Sequence, residues 1–444
     1  MKAVLLKFKL NTKTFLQRVY ITLQLYVENG LANHAAACAY GFLLSMAPML
    51  LIIALIIFFT FRASPGSIIA LMSTIPFLGS MFDEQWLSSG FFSFSRPGIP
   101  GVISVLSIIW AGRILALSMQ RGLKIIFPPV KKRNPVKNVL VSLTIEASVL
   151  ILVLMVIVSS RTAVRFYAML DFFQSPSITQ FIASRNRIQI FYIILLGLAS
   201  FFVYLFVPED SPNKFSAFCG ALFCTLFYFC MVLILGVILN RARYNFLYGT
   251  FGNLIIILVN VYLFFTFFFT GAQLAFVIDS FDALLFSSLR KIKKKISGGD
   301  KSIRLSKKFW FSRYLYKLFN PRESNLKKYL RSFKENESIF THGNDMDTED
   351  DIYYLLEGEV EILISSLHGS GDFAGVLRAD SFFDKMSYML SEDRTATVRA
   401  KTDVSVFAMP PQMLDAVLKY DKNMDRTLIE LMSRRLKHSD EKTI

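Results

Sequence analysis

Long apolar runs dominate the first two thirds of the chain. They recur near Ala35–Phe61, Val102–Ile126, Val139–Val158, Ile188–Val207, Phe215–Leu239 and Phe246–Ile278. Each reaches the roughly 20 residues needed to cross the hydrocarbon core of a bilayer. The pattern predicts six membrane-spanning helices. Residues Leu5–Val27 differ: Leu16, Val19, Tyr20, Leu23 and Tyr26 recur at helical spacing among basic residues, which predicts an amphipathic helix before the first span. Beyond Arg331 the period changes to that of strands. Ile352–Leu356, Glu359–Ile364, Thr395–Ala400 and Val404–Met409 read as strands, and Glu357-Gly358 as the turn between the first two. Pro411–Lys437 reads as two helices. The fold class is therefore a mostly α-helical polytopic bundle followed by a soluble β-rich domain with flanking helices.

Composition supports this division. Of 444 residues, 53% are hydrophobic and 18% charged, and Phe occurs 44 times. Soluble domains carry about a quarter charged residues. The net charge of +16 sits mainly at the ends of apolar runs, as in Lys131-Lys132-Arg133 and Lys293-Lys294-Lys295. Basic clusters beside spans follow the positive-inside rule and place both termini in the cytosol. No nucleic-acid partner is expected, and membrane lipid is. The domains are read as an N-terminal helix (1–32), a six-span domain (33–285), a basic linker (286–329) and a terminal domain (330–444). The four cysteines lie in apolar stretches and are expected as buried small hydrophobes.

Ionisable groups inside spans are costly, which makes them functional candidates. Arg113 lies in the second predicted span and Glu146 in the third. They are read either as a buried ion pair or as a substrate- or proton-coupling pair. The four histidines are scattered without metal-ligand spacing. With no Walker A sequence and no nucleophile elbow, neither catalytic nor metal-binding residues are assigned, and no enzyme activity is expected.

Three short motifs carry a family resemblance. They are Ala39-Tyr40-Gly41-Phe42-Leu43-Leu44-Ser45-Met46-Ala47-Pro48, then Tyr204 with Pro208 and Gly220-Ala221, then Tyr248-Gly249 with Gly271-Ala272-Gln273-Leu274. Together, over about Leu16–Ser280, they resemble the YihY/BrkB family of bacterial inner-membrane proteins. The resemblance implies six spans, cytosolic termini and residence in the bacterial inner (cytoplasmic) membrane. Members usually have Glu where this chain has Gln273. Some have carried the label ribonuclease BN, but no His/Asp cluster here offers metal ligands. A transporter or lipid-handling protein of the envelope is the preferred reading, a non-transporting scaffold the alternative, and a ribonuclease the least favoured.

Ile339-Phe340 before Gly343, Tyr353, Gly358-Glu359-Val360 and Arg394-Thr395-Ala396 resemble, in order and spacing, the cyclic-nucleotide-binding β-roll. That family carries Phe-Gly-Glu ahead of its Arg: the Gly lets backbone N–H groups approach the cyclic phosphate, and the Glu accepts the ribose hydroxyl. The corresponding stretch here is Phe383-Asp384-Lys385. Asp384 adds negative charge, and Lys385 has no acceptor for a ribose hydroxyl. The resemblance implies a pocket of Phe383, Lys385, Arg394 and Thr395. Three readings stay open: a cyclic nucleotide, another anionic ligand held by Arg394 with Lys385, or a degenerate module that docks partners, with Arg394 pairing Asp384 or Glu392. No cofactor is assigned beyond a cyclic nucleotide. Analogy with other β-roll proteins implies a homodimer.

Overall fold

A computed structural model describes residues 2–45, 99–128, 139–142, 144–145, 185–238, 250–297, 319, 325–341, 351–364, 372–383 and 396–420. The chain divides into two compact units: residues 22–279, and residues 1–21 together with 280–444.

The first unit is helical. Helix α1 (Lys2–Glu28), which contributes residues to both units, is followed by a helical segment at 31–45. Then come α2 (Ile99–Ile126), α3 (Arg185–Phe206), α4 (Lys214–Ile238) and α5 (Thr250–Asp279). These helices fall where the apolar runs predict them. Among the described residues, two segments, Lys214–Leu235 and Ile257–Asp279, are long and apolar enough to cross a membrane. The first and third predicted spans lie largely outside the described residues.

The packing of α4 is inverted relative to a soluble helix. Ser216, Ala217, Gly220, Ala221, Cys224 and Thr225 face inward and are buried, while Phe215, Phe218, Leu222, Leu226 and Leu233 are exposed. Lipid gives apolar side chains no reason to hide, so small residues line helix contacts where close approach maximises dispersion. Helices α4 and α5 approach each other closely at Gly220 and Gly271. A methyl on Gly220 would lie 2.4 Å from the Gly271 carbonyl oxygen, and one on Gly271 would lie 2.5 Å from the Gly220 carbonyl oxygen. Tyr204 of α3 packs beside this crossing and donates its hydroxyl to the Phe268 carbonyl at 2.6 Å. Cys38 and Cys224 are buried as expected, but Cys230 is exposed on α4 and Cys219 half-buried. The outward face of α4 accepts a small apolar thiol as readily as its core does.

Among the described residues the second unit is built on two four-stranded antiparallel sheets, in the orders β1-β8-β3-β6 and β2-β7-β4-β5. The strands are β1 (Leu330–Phe333), β2 (Ser338–Phe340), β3 (Ile352–Glu357), β4 (Glu359–Ile364), β5 (Asp372–Arg378), β6 (Phe382–Phe383), β7 (Ala396–Ala400) and β8 (Val404–Met409). Alternation along a strand sends successive side chains to opposite faces. Tyr353, Leu355, Val404, Val406 and Ala408 enter the core between the sheets with Ile339, Val360, Phe383, Val398 and Ala400. The opposite faces of β3 and β8 are buried too, because α6 (Phe281–Ser297) covers them. Phe286 of α6 stands edge-on to Tyr354 (5.1 Å) and to Phe407 (5.4 Å). This explains why β3 and β8 read as unbroken apolar runs rather than as strict alternation.

Helix α6 begins one residue after α5 ends and has a buried apolar face of Phe281, Leu284, Leu285, Phe286 and Leu289. The sequence placed a basic linker from residue 286. Residues 286–297 of that segment are helical, and apolar residues at helical spacing extend through Leu289. Asp282, in the first turn, accepts from the Tyr329 hydroxyl at 3.1 Å and pairs with Lys328 at 2.6 Å, fastening the α6 N-terminus to the 3-10 turn Asn325–Tyr329. Helix α7 (Pro411–Tyr420), the first of the two expected over 411–437, packs against α6, and the second lies outside the described residues. At the β3–β4 turn Gly358 has φ +95°, and a methyl there would lie 2.6 Å from the Asp403 carbonyl oxygen. Only glycine meets both demands.

Candidate functional site

Phe383 of the expected pocket is buried on β6, inside the roll. Its ring stacks on Tyr353 at 5.4 Å with planes 9° apart, and Phe340 stacks on both, at 5.7 Å from Tyr353 and 6.2 Å from Phe383. Antiparallel pairing of β3 with β6 sets Tyr353 opposite Phe383 and Tyr354 opposite Phe382. Such cross-strand aromatic pairs add about 0.5–1.5 kcal/mol each beyond their buried area. The stack forms the base from which the chain enters 384–395. Asp384, Lys385, Arg394 and Thr395 all lie outside the described residues.

The other face of the same strand pair carries a polar relay. The Tyr354 hydroxyl donates to Asp380 Oδ1 at 2.7 Å. Asp380 adopts φ +70°, a conformation that Asp tolerates better than most residues. Its N–H donates to the Leu355 carbonyl, and the Leu355 N–H donates to the Ser381 carbonyl, both at 2.9 Å. This turn aims the chain into β6. Burial pushes the Tyr354 phenol well up, the Asp380 carboxylate adds to the rise, and Arg290 of α6 opposes it. One side chain thus answers both to the turn before 384–395 and to α6.

Below the ordinary phenol value of 10.0 Tyr354 is protonated whether the chain is folded or not, and its contribution to stability is intact. As pH rises past that value the unfolded chain ionises first, and the folded state loses stability until the folded phenol also ionises. Tyr354→Phe is expected to cost about 0.5–1.5 kcal/mol at neutral pH through the lost hydrogen bond. It is also expected to flatten the alkaline decline. Hydrogen exchange of the β3 amides in the full chain between pH 7 and 11 measures both. An alkaline decline identical to wild type contradicts the assignment.

Among the expected intramembrane candidates, Gln273 is fully buried on α5. Its Oε1 accepts from Asn29 Nδ2 at 3.1 Å, and its Nε2 has no hydrogen-bond partner among the described residues. Asn29 lies just after α1. Arg113 lies on α2 and is exposed, and Glu146 lies outside the described residues. Among the described residues no group of three His, Cys, Asp or Glu side chains is placed to hold a metal ion.

Sequence reasoning about sites missed Asn29, Tyr354, Asp380 and Phe286. Asn29 carried one signal, a carboxamide at the edge of an apolar run. Asp380 carried none, because left-handed Asp residues have no composition of their own.

Comparison with known proteins assigns both regions. Residues 22–285 match the family model "Virulence factor BrkB", and residues 330–421 match "Cyclic nucleotide-binding domain". No curated protein matches the chain. Solved structures resemble it over about a quarter of its length. Thermus thermophilus Catabolite Activator Protein is 23% identical over 25% of this chain and 51% of that chain, with TM-score 0.23. The cAMP-bound form of the EAL enzyme Bd1971 is 21% identical over 25% and 29%, with TM-score 0.20. The sensor domain of the regulator DNR from Pseudomonas aeruginosa is 18% identical over 25% and 73%, with TM-score 0.22. The chain thus spans about half the length of the first of these proteins. Similarities at this level carry nothing about ligand or activity.

Proposed function

The chain belongs to the BrkB family and carries a cyclic-nucleotide-binding domain, and from that premise we propose that it is a multi-pass transporter or lipid-handling protein of the bacterial inner membrane. Both termini lie in the cytosol, and the C-terminal domain biases its conformation. No catalytic step belongs to this function.

The observation that carries the proposal is the position of α6. It follows α5 in the chain with only Ser280 between them, and its Phe286 packs on β3 and β8. Tyr354 of β3 in turn holds the turn that leads through Phe382 and Phe383 to 384–395. A ligand shifts an equilibrium only by its differential affinity for two states. A packed helix that follows a span directly in sequence is an element through which such a difference acts. The ligand chemistry is that of an anion held by Arg394, with Lys385 as a second cation. A non-transporting scaffold is the second reading, and Asp384 and Lys385, in place of the family's Gly and Glu, favour it.

Calorimetric titration of the full detergent-solubilised chain with cyclic AMP, cyclic GMP and cyclic dinucleotides tests the proposal. Micromolar binding that Arg394→Ala abolishes is the expected result, since a charge-assisted phosphate contact is among the stronger hydrogen bonds. Absence of heat with every nucleotide favours the docking scaffold.

A further inference from the structure

The end of α1 meets α5 through uncharged polar groups. Tyr26 lies beside Thr266, whose hydroxyl donates to the Tyr262 carbonyl at 2.9 Å. Just past α1, Asn29 Nδ2 donates to Gln273 Oε1 at 3.1 Å. All of these residues belong to the unit 22–279. Gln273 is fully buried, and Phe269, Ala272, Phe276 and Val277, within about one turn of it on α5, are buried as well.

The group left over on Gln273 is a donor. Its Oε1 already accepts from Asn29, while Nε2 has no hydrogen-bond partner among the described residues. A buried N–H without a partner carries the full cost of its lost hydration, and hydrocarbon holds no water to restore it. Gln273 stands six residues before the end of the apolar segment Ile257–Asp279, about 9 Å along the helix. What answers an N–H at this depth is an acceptor without charge and without donors of its own. A cation is repelled by the amide hydrogens, and an ionised phosphate loses too much hydration. A polyol brings hydroxyl donors that need acceptors in turn. An acyl ester carbonyl meets every condition, and diacyl phospholipid brings it into the bilayer.

We infer that Gln273 Nε2 is a binding group for an acyl ester carbonyl of phospholipid, which rests on the lipid-handling reading proposed above. In the closed arrangement Gln273 is sealed, and lipid reaches it when the end of α1 moves aside. The unanswered donor raises the energy of the sealed state and so lowers the cost of opening. Asn29 orients the carboxamide and is a positioning residue.

The test compares diacyl phosphatidylglycerol with its diether analogue, which lacks the carbonyls but keeps the headgroup and chains. The full chain in detergent micelles takes up each lipid at equal concentration, and native mass spectrometry reads the lipid retained. Wild type is expected to retain the diacyl lipid about two- to tenfold better, the range of one neutral hydrogen bond. Gln273→Met, apolar and of similar length, should retain both lipids equally. Asn29→Ala should keep a diacyl preference, whereas a merely structural Asn29–Gln273 bond predicts the same result for both variants. Thermal denaturation checks that each variant is folded. Equal retention of the two lipids by wild type overturns the inference, since Nε2 is then served by water or by protein. A diacyl preference that survives Gln273→Met overturns it as well. Dithionite bleaching of fluorescent phosphatidylglycerol in proteoliposomes reads lipid movement separately. Movement without a diacyl preference overturns the inference and leaves the lipid-handling reading standing. A preference that depends on Gln273, without movement, upholds the site and counts against that reading.

Discussion

Phe286→Ala is expected to lower the stability of the C-terminal unit by about 3–5 kcal/mol, the range for removing a buried aromatic ring. Phe286 is 1% exposed and wedges between Tyr354 and Phe407, so its loss opens a cavity over the β1-β8-β3-β6 sheet. The cavity cannot collapse easily. Asp282 fixes the start of α6 through Lys328 and Tyr329, and α7 lies beside it. Hydrogen exchange in the full-length protein should show the β3 and β8 amides opening together, with protection lost by the stated amount. Phe286→Leu fills most of the volume and should restore more than half. If the domain answers to a ligand, Phe286→Ala should retain ligand binding yet lose the ligand's effect on the membrane domain. A loss below about 1 kcal/mol would show that α6 contributes little to the unit.

Gly220→Ala carries the second large effect. The added methyl meets the Gly271 carbonyl oxygen at 2.4 Å and the Ala275 methyl at 2.9 Å. Neither is the end of a flexible side chain, so α4 and α5 must separate. Overpacking of this kind costs about 1–3 kcal/mol. A methyl on Gly271 would in addition crowd Tyr204, whose Oη would lie 2.9 Å from it. Gly271→Ala should cost a similar amount, and the double variant less than the two together, because one separation relieves both clashes. Thermal denaturation of the detergent-solubilised protein, read as loss of monodisperse protein, measures all three. Strict additivity would mean that the two glycines do not share a single close approach.

The local elements were legible because periodicity is a local property. The apolar runs placed α2 to α5, the helical spacing placed α1, and strand-length runs placed β3, β4, β7 and β8. Family motifs located Gln273 and Phe383, and order alone pointed to Arg394 with Asp384 and Lys385. What the sequence determined, then, is the class of the chain: an apolar helical region, a β-roll at its end and basic residues at their margins, since lipid, core and water each select a composition. Tertiary structure alone decided which residues meet. Asn29 and Gln273 are 244 positions apart, yet their amides bond. Gly220 and Gly271 matter only because two helices cross there, and either glycine alone would read as a weak point. Phe286 looks like one more apolar residue before a basic tail until β3 and β8 pair antiparallel and offer Tyr354 and Phe407 to it. Such contacts arise from register and helix crossing, which depend on the free energy of burying distant surfaces together, and no window along the chain contains that information.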